Sequence, residues 1–217
     1  MTEIHQFAFN PFQENTYLLI NAQHECLIID PGCYFPEEQQ LFLDFIEKRQ
    51  LKVVGLINTH AHLDHIFGNR LVFMHWKLKP VLHQAELPIL DAAPLSGQMY
   101  NIPFEPSPYP ERFVTDGEIW SFGEARLRII WAPGHSPGSI CLYHAAEKWL
   151  IGGDVLFRES IGRTDLPGGD FATLEASIRQ RLYTLPDDVV VYPGHGPKTT
   201  IGYEKHHNPF IRAAVGS

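Results

Sequence analysis

The sequence has no apolar run approaching the ~18 residues that a membrane span requires, so no membrane partner is expected. Cysteine is scarce. Cys26, Cys33 and Cys141 form no CxxC pair and lie far along the chain from the main histidine cluster. That sparse, odd count, together with a polar and mixed segment from Met1 to Asn10 in place of a secretory leader, leads to the expectation of reduced thiols in a cytoplasmic protein. Positive charge is also in deficit: 17 Lys and Arg against 25 Asp and Glu leave a net charge of −8. An acidic surface of that kind argues against a broad basic face and hence against nucleic-acid binding. It leaves room for a small basic pocket that receives an anionic substrate. Internal repeats, low-complexity tracts and flexible linkers are absent, and 217 residues fit a single domain, 1–217.

An apolar fraction of 44% is enough for a substantial core, and 17 glycines with 17 prolines imply many turns. Short strands are expected at Ile4–Phe9, Thr16–Asn21 and Cys26–Ile29, then a helix from Pro36 to Gln50 with Leu41, Phe42, Phe45 and Ile46 inward. A buried strand Leu51–Ile57, a helix Ile66–Lys77 and a short strand Pro80–Leu82 follow. Pro94–Pro110, with five prolines, reads as a loop. The second half echoes the first. Strands are expected at Ile119–Trp120, Ala125–Trp131, Ser139–His144 and Trp149–Ile151. A helix Phe171–Tyr183 with Phe171, Leu174, Ile178 and Leu182 inward and a last strand Val189–Tyr192 complete it. Strand runs followed by helix and strand, twice over, suggest two mixed sheets packed face to face with helices outside, a four-layer α/β arrangement.

The main chemical signal is Thr59-His60-Ala61-His62-Leu63-Asp64-His65, directly after a buried strand. In extended chain, positions i and i+2 share a face, so His60 and His62 can reach one metal ion. The turn that follows presents Asp64 and His65 toward a second. Asp64 could also serve as a helix N-cap.

Three further candidates stand just past apolar strands and beside glycine: His135 in Ala132-Pro133-Gly134-His135, Asp154 in Gly152-Gly153-Asp154, and His195 in Pro193-Gly194-His195-Gly196. Strand ends are rigid, which a preorganised site requires. The count closes on two ions: His60, His62 and His135 for one, Asp64, His65 and His195 for the other, and Asp154 between them, with a bridging hydroxide as nucleophile. Asp64 and Asp154 are thereby catalytic chiefly as ligands. Nitrogen and oxygen donors suit zinc, iron(II) or manganese. His5, His24, His75, His83 and His144 read as ordinary surface or core residues.

With these residues in place, the chain resembles the metallo-β-lactamase superfamily, from Asn15-Thr16-Tyr17 and Ile28-Ile29-Asp30-Pro31-Gly32 through the H-x-H-x-D-H core to His195. The resemblance implies an αββα sandwich with a dinuclear site, zinc foremost, and the same seven metal ligands. Within the superfamily the chain looks most like the glyoxalase II branch, the hydroxyacylglutathione hydrolases. Gly153-Asp154-Val155-Leu156-Phe157 followed by Gly162-Arg163 parallels that branch, and Arg163 becomes the candidate for binding a glutathione carboxylate. A surface salt bridge is the plainer reading of Arg163. Gly196-Pro197 stands where two-domain members have glutamate and tyrosine, and only about twenty residues follow His195. A compact type without the separate C-terminal glutathione-binding helical domain is therefore implied.

The activity so implied is hydrolysis of S-D-lactoylglutathione or a related acylglutathione to D-lactate and glutathione, by a monomer or weak homo-oligomer taking part in methylglyoxal detoxification. One rival is a persulfide dioxygenase using one iron on His60, His135 and Asp154. Ile161 stands where those enzymes usually have cysteine. The other rival is another hydrolase of the fold, such as a lactamase, whose commonest zinc forms carry a cysteine near the Asp154 position.

Overall fold

The computed structural model describes residues 1–212. They divide into two compact units, Met1–Val114 with Ser121–Ala125, and Thr115–Trp120 with the residues from Arg126 on. Each contains the strand-end loops on which the candidate ligands sit.

In the first unit β1 (Glu3–Phe9), β2 (Glu14–Ile20), β3 (Glu25–Ile29), β4 (Lys52–Ile57), β5 (Val81–His83) and β6 (Arg112–Val114) form one sheet in that order. β1, β2 and β3 pair antiparallel, and β3 through β6 run parallel. Helix α1 (Pro36–Lys48) makes the crossover from β3 to β4. Parallel strands are covered on both faces and so read as continuous apolar runs; Cys26 to Ile29 are all buried. The apolar face of α1 contributes Phe42 and Ile46 to a core with Phe7, Phe9 and Ile28. A fully buried phenylalanine such as Phe42 contributes about 1.5–3 kcal/mol of transfer free energy. Leu41 was expected on that face but is 55% exposed: one position before Phe42, it is turned some 100° away around the helix.

The segment after β4 forms two short helices, α2 (Leu63–Ile66) and α3 (Asn69–Trp76), rather than one helix from Ile66. The break falls where the Gly68 amide donates to the Pro31 carbonyl at 2.6 Å. Asp64 lies inside the first turn of α2, and His62 occupies the N-cap, so the capping role considered for Asp64 is not realised. The loop expected from Pro94 is also corrected. Leu87–Met99 is a helix, α4, with Pro94 inside it and Leu90, Ala93 and Gly97 buried. Packing of that small-residue stripe outweighs the hydrogen bond that proline removes, and irregular chain starts only after Met99.

β7 (Ile119–Phe122), β8 (Ala125–Trp131), β9 (Ile140–His144), β10 (Trp149–Gly153), β13 (Val190–Pro193) and β14 (Thr199–Thr200) form a sheet of order β14-β13-β10-β9-β8-β7, which belongs to the second unit except at Ser121, Phe122 and Ala125. A separate hairpin joins β11 (Leu156–Phe157) to β12 (Ser160–Ile161). β8 and β10 each pair antiparallel with β9, and β13 runs parallel to β10. β8, β10 and β13 therefore point the same way, and their C-terminal ends lie on one edge of the sheet.

Helix α5 (Phe171–Ser177) is capped by Asp170 and continues as a π turn through Leu182. It buries Leu174, Ile178 and Leu182 against Leu150 and Val191. Phe171, expected inward, is 45% exposed, because it opens the helix ahead of the packed turns. Helix α6 (Ile201–His207) follows β14.

Two of the histidines set aside as ordinary are ring partners in packing: His5 stacks on Phe45 and His144 on Trp149. Among the described residues no helix is long and apolar enough to cross a membrane. The three cysteines are free and buried, and burial pushes the thiols of Cys26 and Cys141 up to about 12.

Candidate metal centre

In the first unit the chain leaves β4 extended. His62 has φ −64° and ψ 149°, and the His60 and His62 rings are neighbours with centroids 4.8 Å apart. The start of α2 then brings His65 to His60, ring centroids 4.1 Å apart, and places Asp64 Oδ2 3.8 Å from His65 Nε2. Asp30, His60 and His65 hold ligand atoms within 4.8 Å of one another.

The protein fixes which nitrogen each ring presents. His65 Nδ1 donates to Asp30 Oδ2 at 3.1 Å. Thr59 Oγ1 donates to the same carboxylate and so accepts from His60 Nδ1, 3.1 Å away. With both Nδ1 positions protonated and engaged, His60 and His65 are left with Nε2 lone pairs to offer.

Buried carboxylates surround this segment. Asp30 also accepts from the Thr59 amide at 2.7 Å. Glu86, fully buried, accepts from the Ala61 amide at 2.8 Å. Glu14 is fully buried with Oε1 3.8 Å from His65 Nδ1, and desolvation pushes its carboxyl well above the usual range while His65 pulls the other way. Sequence reasoning assigned none of these three a role. Asp30 carried a usable signal, since Asp30-Pro31-Gly32 follows a buried strand in the same manner as the chosen ligands. Glu14 opens the wholly buried strand β2, a position where an acid is out of place.

In the second unit the edge formed by the ends of β8, β10 and β13 gathers His135, Asp154 and His195. Asp154 Oδ2 lies 3.5 Å from His135 Nε2 and 3.5 Å from His195 Nε2. His135 Nδ1 donates to the Arg163 carbonyl at 2.8 Å; a carbonyl can only accept, so the proton sits on Nδ1 and the lone pair on Nε2. Gly134, at φ +128°, lets the chain turn where a Cβ would stand 2.2 Å from the Leu174 amide nitrogen. The Arg163 guanidinium forks onto Asp165 at 2.7 and 2.8 Å and holds that carboxyl down to about 2.

These arrangements fit divalent cations. Donors bound to one cation at about 2.0–2.1 Å in a tetrahedral array lie about 3.4 Å apart. Both 3.5 Å separations at Asp154 Oδ2 match that edge and are long for a hydrogen bond. At that distance the carboxylate oxygen could share a cation with either imidazole nitrogen.

A model of the metallo-β-lactamase superfamily matches residues 9–195, a stretch that holds all seven candidate ligands. The chain belongs to that superfamily. It is 35% identical over 204 residues to the hydroxyacylglutathione hydrolase GloC of Haemophilus influenzae, covering 93% of this chain and 94% of the relative. Among solved structures it is similar to the BLEG-1 B3 metallo-β-lactamase, with TM-score 0.88 and 36% identity over 96% of this chain and 99% of that one. It is similar also to TTHA1623 in a di-iron-bound form, with TM-score 0.86 and 35% identity over 95% and 100%. The mixed sheets with their flanking helices match the αββα sandwich of the superfamily. As a metallo-β-lactamase-fold protein with a candidate ligand cluster in each unit, the chain is a metal-binding hydrolase by class.

Proposed function

We propose that the chain is a thioester hydrolase of the glyoxalase II type, cleaving S-D-lactoylglutathione or a related acylglutathione to D-lactate and glutathione. The observation that carries the dinuclear part of this reading is Asp154 Oδ2, 3.5 Å from the Nε2 atoms of both His135 and His195. His60, His62 and His135 would hold one cation and Asp64, His65 and His195 the other, with Asp154 as a further ligand. Zinc and iron both suit the donors, and the similarity to a di-iron protein keeps iron beside zinc. The choice of acylglutathione rests on the similarity to GloC over nearly the full length of both chains. Action in the cytoplasm as a monomer or weak homo-oligomer, without nucleic acid or membrane, belongs to the same proposal.

Two divalent cations so held would supply a water acidified to a pKa of about 7 and would polarise a bound carbonyl. The protein's own work is positional. Asp30, Thr59 and the Arg163 carbonyl keep the protons of His65, His60 and His135 on Nδ1, so that Nε2 carries the lone pair of each ring. Asp64 and Asp154 serve as ligands rather than as bases. A thiolate leaving group has a pKa of about 8.5, so the reaction needs no dedicated general acid. Arg163 receives a glutathione carboxylate in exchange for Asp165.

The test is metal analysis of the purified protein beside assays on lactoylglutathione, a β-lactam and glutathione persulfide. Thioester cleavage with two equivalents of metal is the expected result, and His135→Ala should abolish most of it. Oxygen uptake with the persulfide, or turnover of the β-lactam alone, would overturn the reading.

A further inference from the structure

The amide of Ala61 stands between His60 and His62, and the residue is completely buried. β4 ends at Ile57, so no sheet ladder is available to this N–H, and water does not reach it. It donates instead to Glu86 Oε2 at 2.8 Å. Glu86 belongs to a short 3-10 turn, Gln84–Glu86, that follows β5. It is itself 0% exposed, although glutamate is rarely buried without a specific partner.

The geometry gives this contact leverage. In extended chain the aim of the side chains at i and i+2 is set by the peptides between them, so a rotation of the Ala61 amide swings His60 and His62 against each other. On the near side of His60 the chain is already pinned, through the Thr59 amide on Asp30 Oδ1. Glu86 supplies the second pin, on the far side. The two carboxylates bracket His60 and leave the His60–His62 spacing little freedom.

We propose that Glu86 is a positioning residue for the metal centre: its carboxylate, acting through the Ala61 amide, sets the relative aim of His60 and His62. This rests on the reading of those two histidines as ligands of one cation. Three variants separate position from charge. Glu86→Gln keeps an acceptor oxygen at the same reach without the charge. Glu86→Asp keeps the charge but withdraws it by one methylene, and Glu86→Ala removes both.

The measurement is cobalt(II) uptake by metal-stripped protein, scored by stoichiometry and by the visible ligand-field absorption, with circular dichroism and thermal unfolding reporting the fold. Outer partners of metal ligands are commonly worth about 10- to 100-fold in affinity. The Asp and Ala variants should lose that much and show a shifted cobalt spectrum. The Gln variant should lose less than about tenfold. If Glu86→Ala does not fold, the contrast between Gln and Asp decides alone. Equal cobalt binding by Asp or Ala and the unaltered protein overturns the role of Glu86, as does a Gln variant as weak as Asp. Failure of the unaltered protein itself to take up cobalt removes the metal reading as well, and is recognised separately.

Discussion

The two units present their ligand aspartates with the same local device and secure their histidines by different means. In each, a glycine presses against the backbone oxygen of the aspartate: a Cβ on Gly32 would stand 2.6 Å from Asp64 O, and one on Gly162 would stand 1.9 Å from Asp154 O. The first unit draws four candidate ligands from six consecutive residues and holds them with carboxylates from elsewhere in the chain, Asp30 on Thr59 and His65, and Glu86 on Ala61. The second draws three candidate ligands from three strand ends, and a backbone carbonyl, Arg163 O, anchors His135. Ligands adjacent in sequence share one stretch of backbone, so a single slip would displace them all, and buried anchors prevent it. Ligands on separate strands are each fixed by their own ladder and need only a tight turn.

This contrast is tested most severely at the aspartates. Asp154→Ala removes the oxygen that lies equally close to two imidazoles, so both equivalents of metal should weaken. Water no longer acidified by two cations would supply little nucleophile, and turnover should fall by about 10³-fold or more. Asp64→Ala removes a donor beside His65 and should release one equivalent while the other stays. Elemental analysis of the two variants reads the difference directly; equal loss from both would show that the aspartates are not distinct in role.

The glycines come next. Gly162→Ala drives a Cβ into the Asp154 carbonyl, which is backbone and cannot swing aside. Overpacking of this kind costs about 1–3 kcal/mol and at times more. Gly32→Ala meets Glu14 Oε2 at 2.0 Å as well as the Asp64 carbonyl; part of that obstacle is the end of a side chain, so its loss should be the smaller of the two. Urea unfolding of both variants gives the ranking.

The grouping of the candidate ligands was legible in the sequence for a physical reason. His135, Asp154 and His195 each follow an apolar strand and sit beside glycine, and the structure puts all three on one sheet edge because β8, β10 and β13 share a direction. The extended reading of His60 and His62 holds for the same kind of reason, since strand geometry alone puts i and i+2 together. What did not show was whatever depends on a distant partner. Glu86 lies 25 residues beyond the amide it holds, and nothing local marks it. The reading of Pro94–Pro110 as loop misses the last turns of Leu87–Met99 because local propensity weighs the prolines as breakers, whereas the close contact of Gly97 with Phe104 and Ile102 is tertiary. Leu41 and Phe171 fell on the wrong side because an apolar period does not say where a helix face stops being covered.

A milder effect should appear in the anchors of the first unit. The Glu14 carboxyl is raised well above 4.5, chiefly by desolvation, so metal-free folded protein binds a proton there that the unfolded chain gives up. Stability from that source is present below the unfolded value near 4.5 and is lost as pH rises toward the folded one. Glu14→Gln keeps the shape without the titration. In metal-stripped protein it should remove this falling limb and leave the variant the more stable at neutral pH. Unfolding midpoints measured across pH 4 to 8 check it; a variant with the same pH slope as the parent would show that Glu14 is ionised in the fold.

The smallest effect belongs to the second unit's surface, where Arg163 works in two ways that mutation can separate. Its carbonyl anchors His135 and survives any side-chain change, so Arg163→Ala should leave metal content and kcat alone. Its guanidinium is held by Asp165, whose carboxyl stays ionised down to about 2; pH near neutrality does not release the fork, and a substrate carboxylate must compete for it. Exposed pairs are worth little, which limits the effect to no more than about fivefold in KM. Arg163→Ala should therefore raise KM for lactoylglutathione by about two- to fivefold, while Asp165→Asn, by freeing the fork, should lower it. Opposite shifts from the two variants are what a carboxylate-binding fork requires; an unchanged KM in both would leave Arg163 as the surface ion pair that its geometry with Asp165 describes.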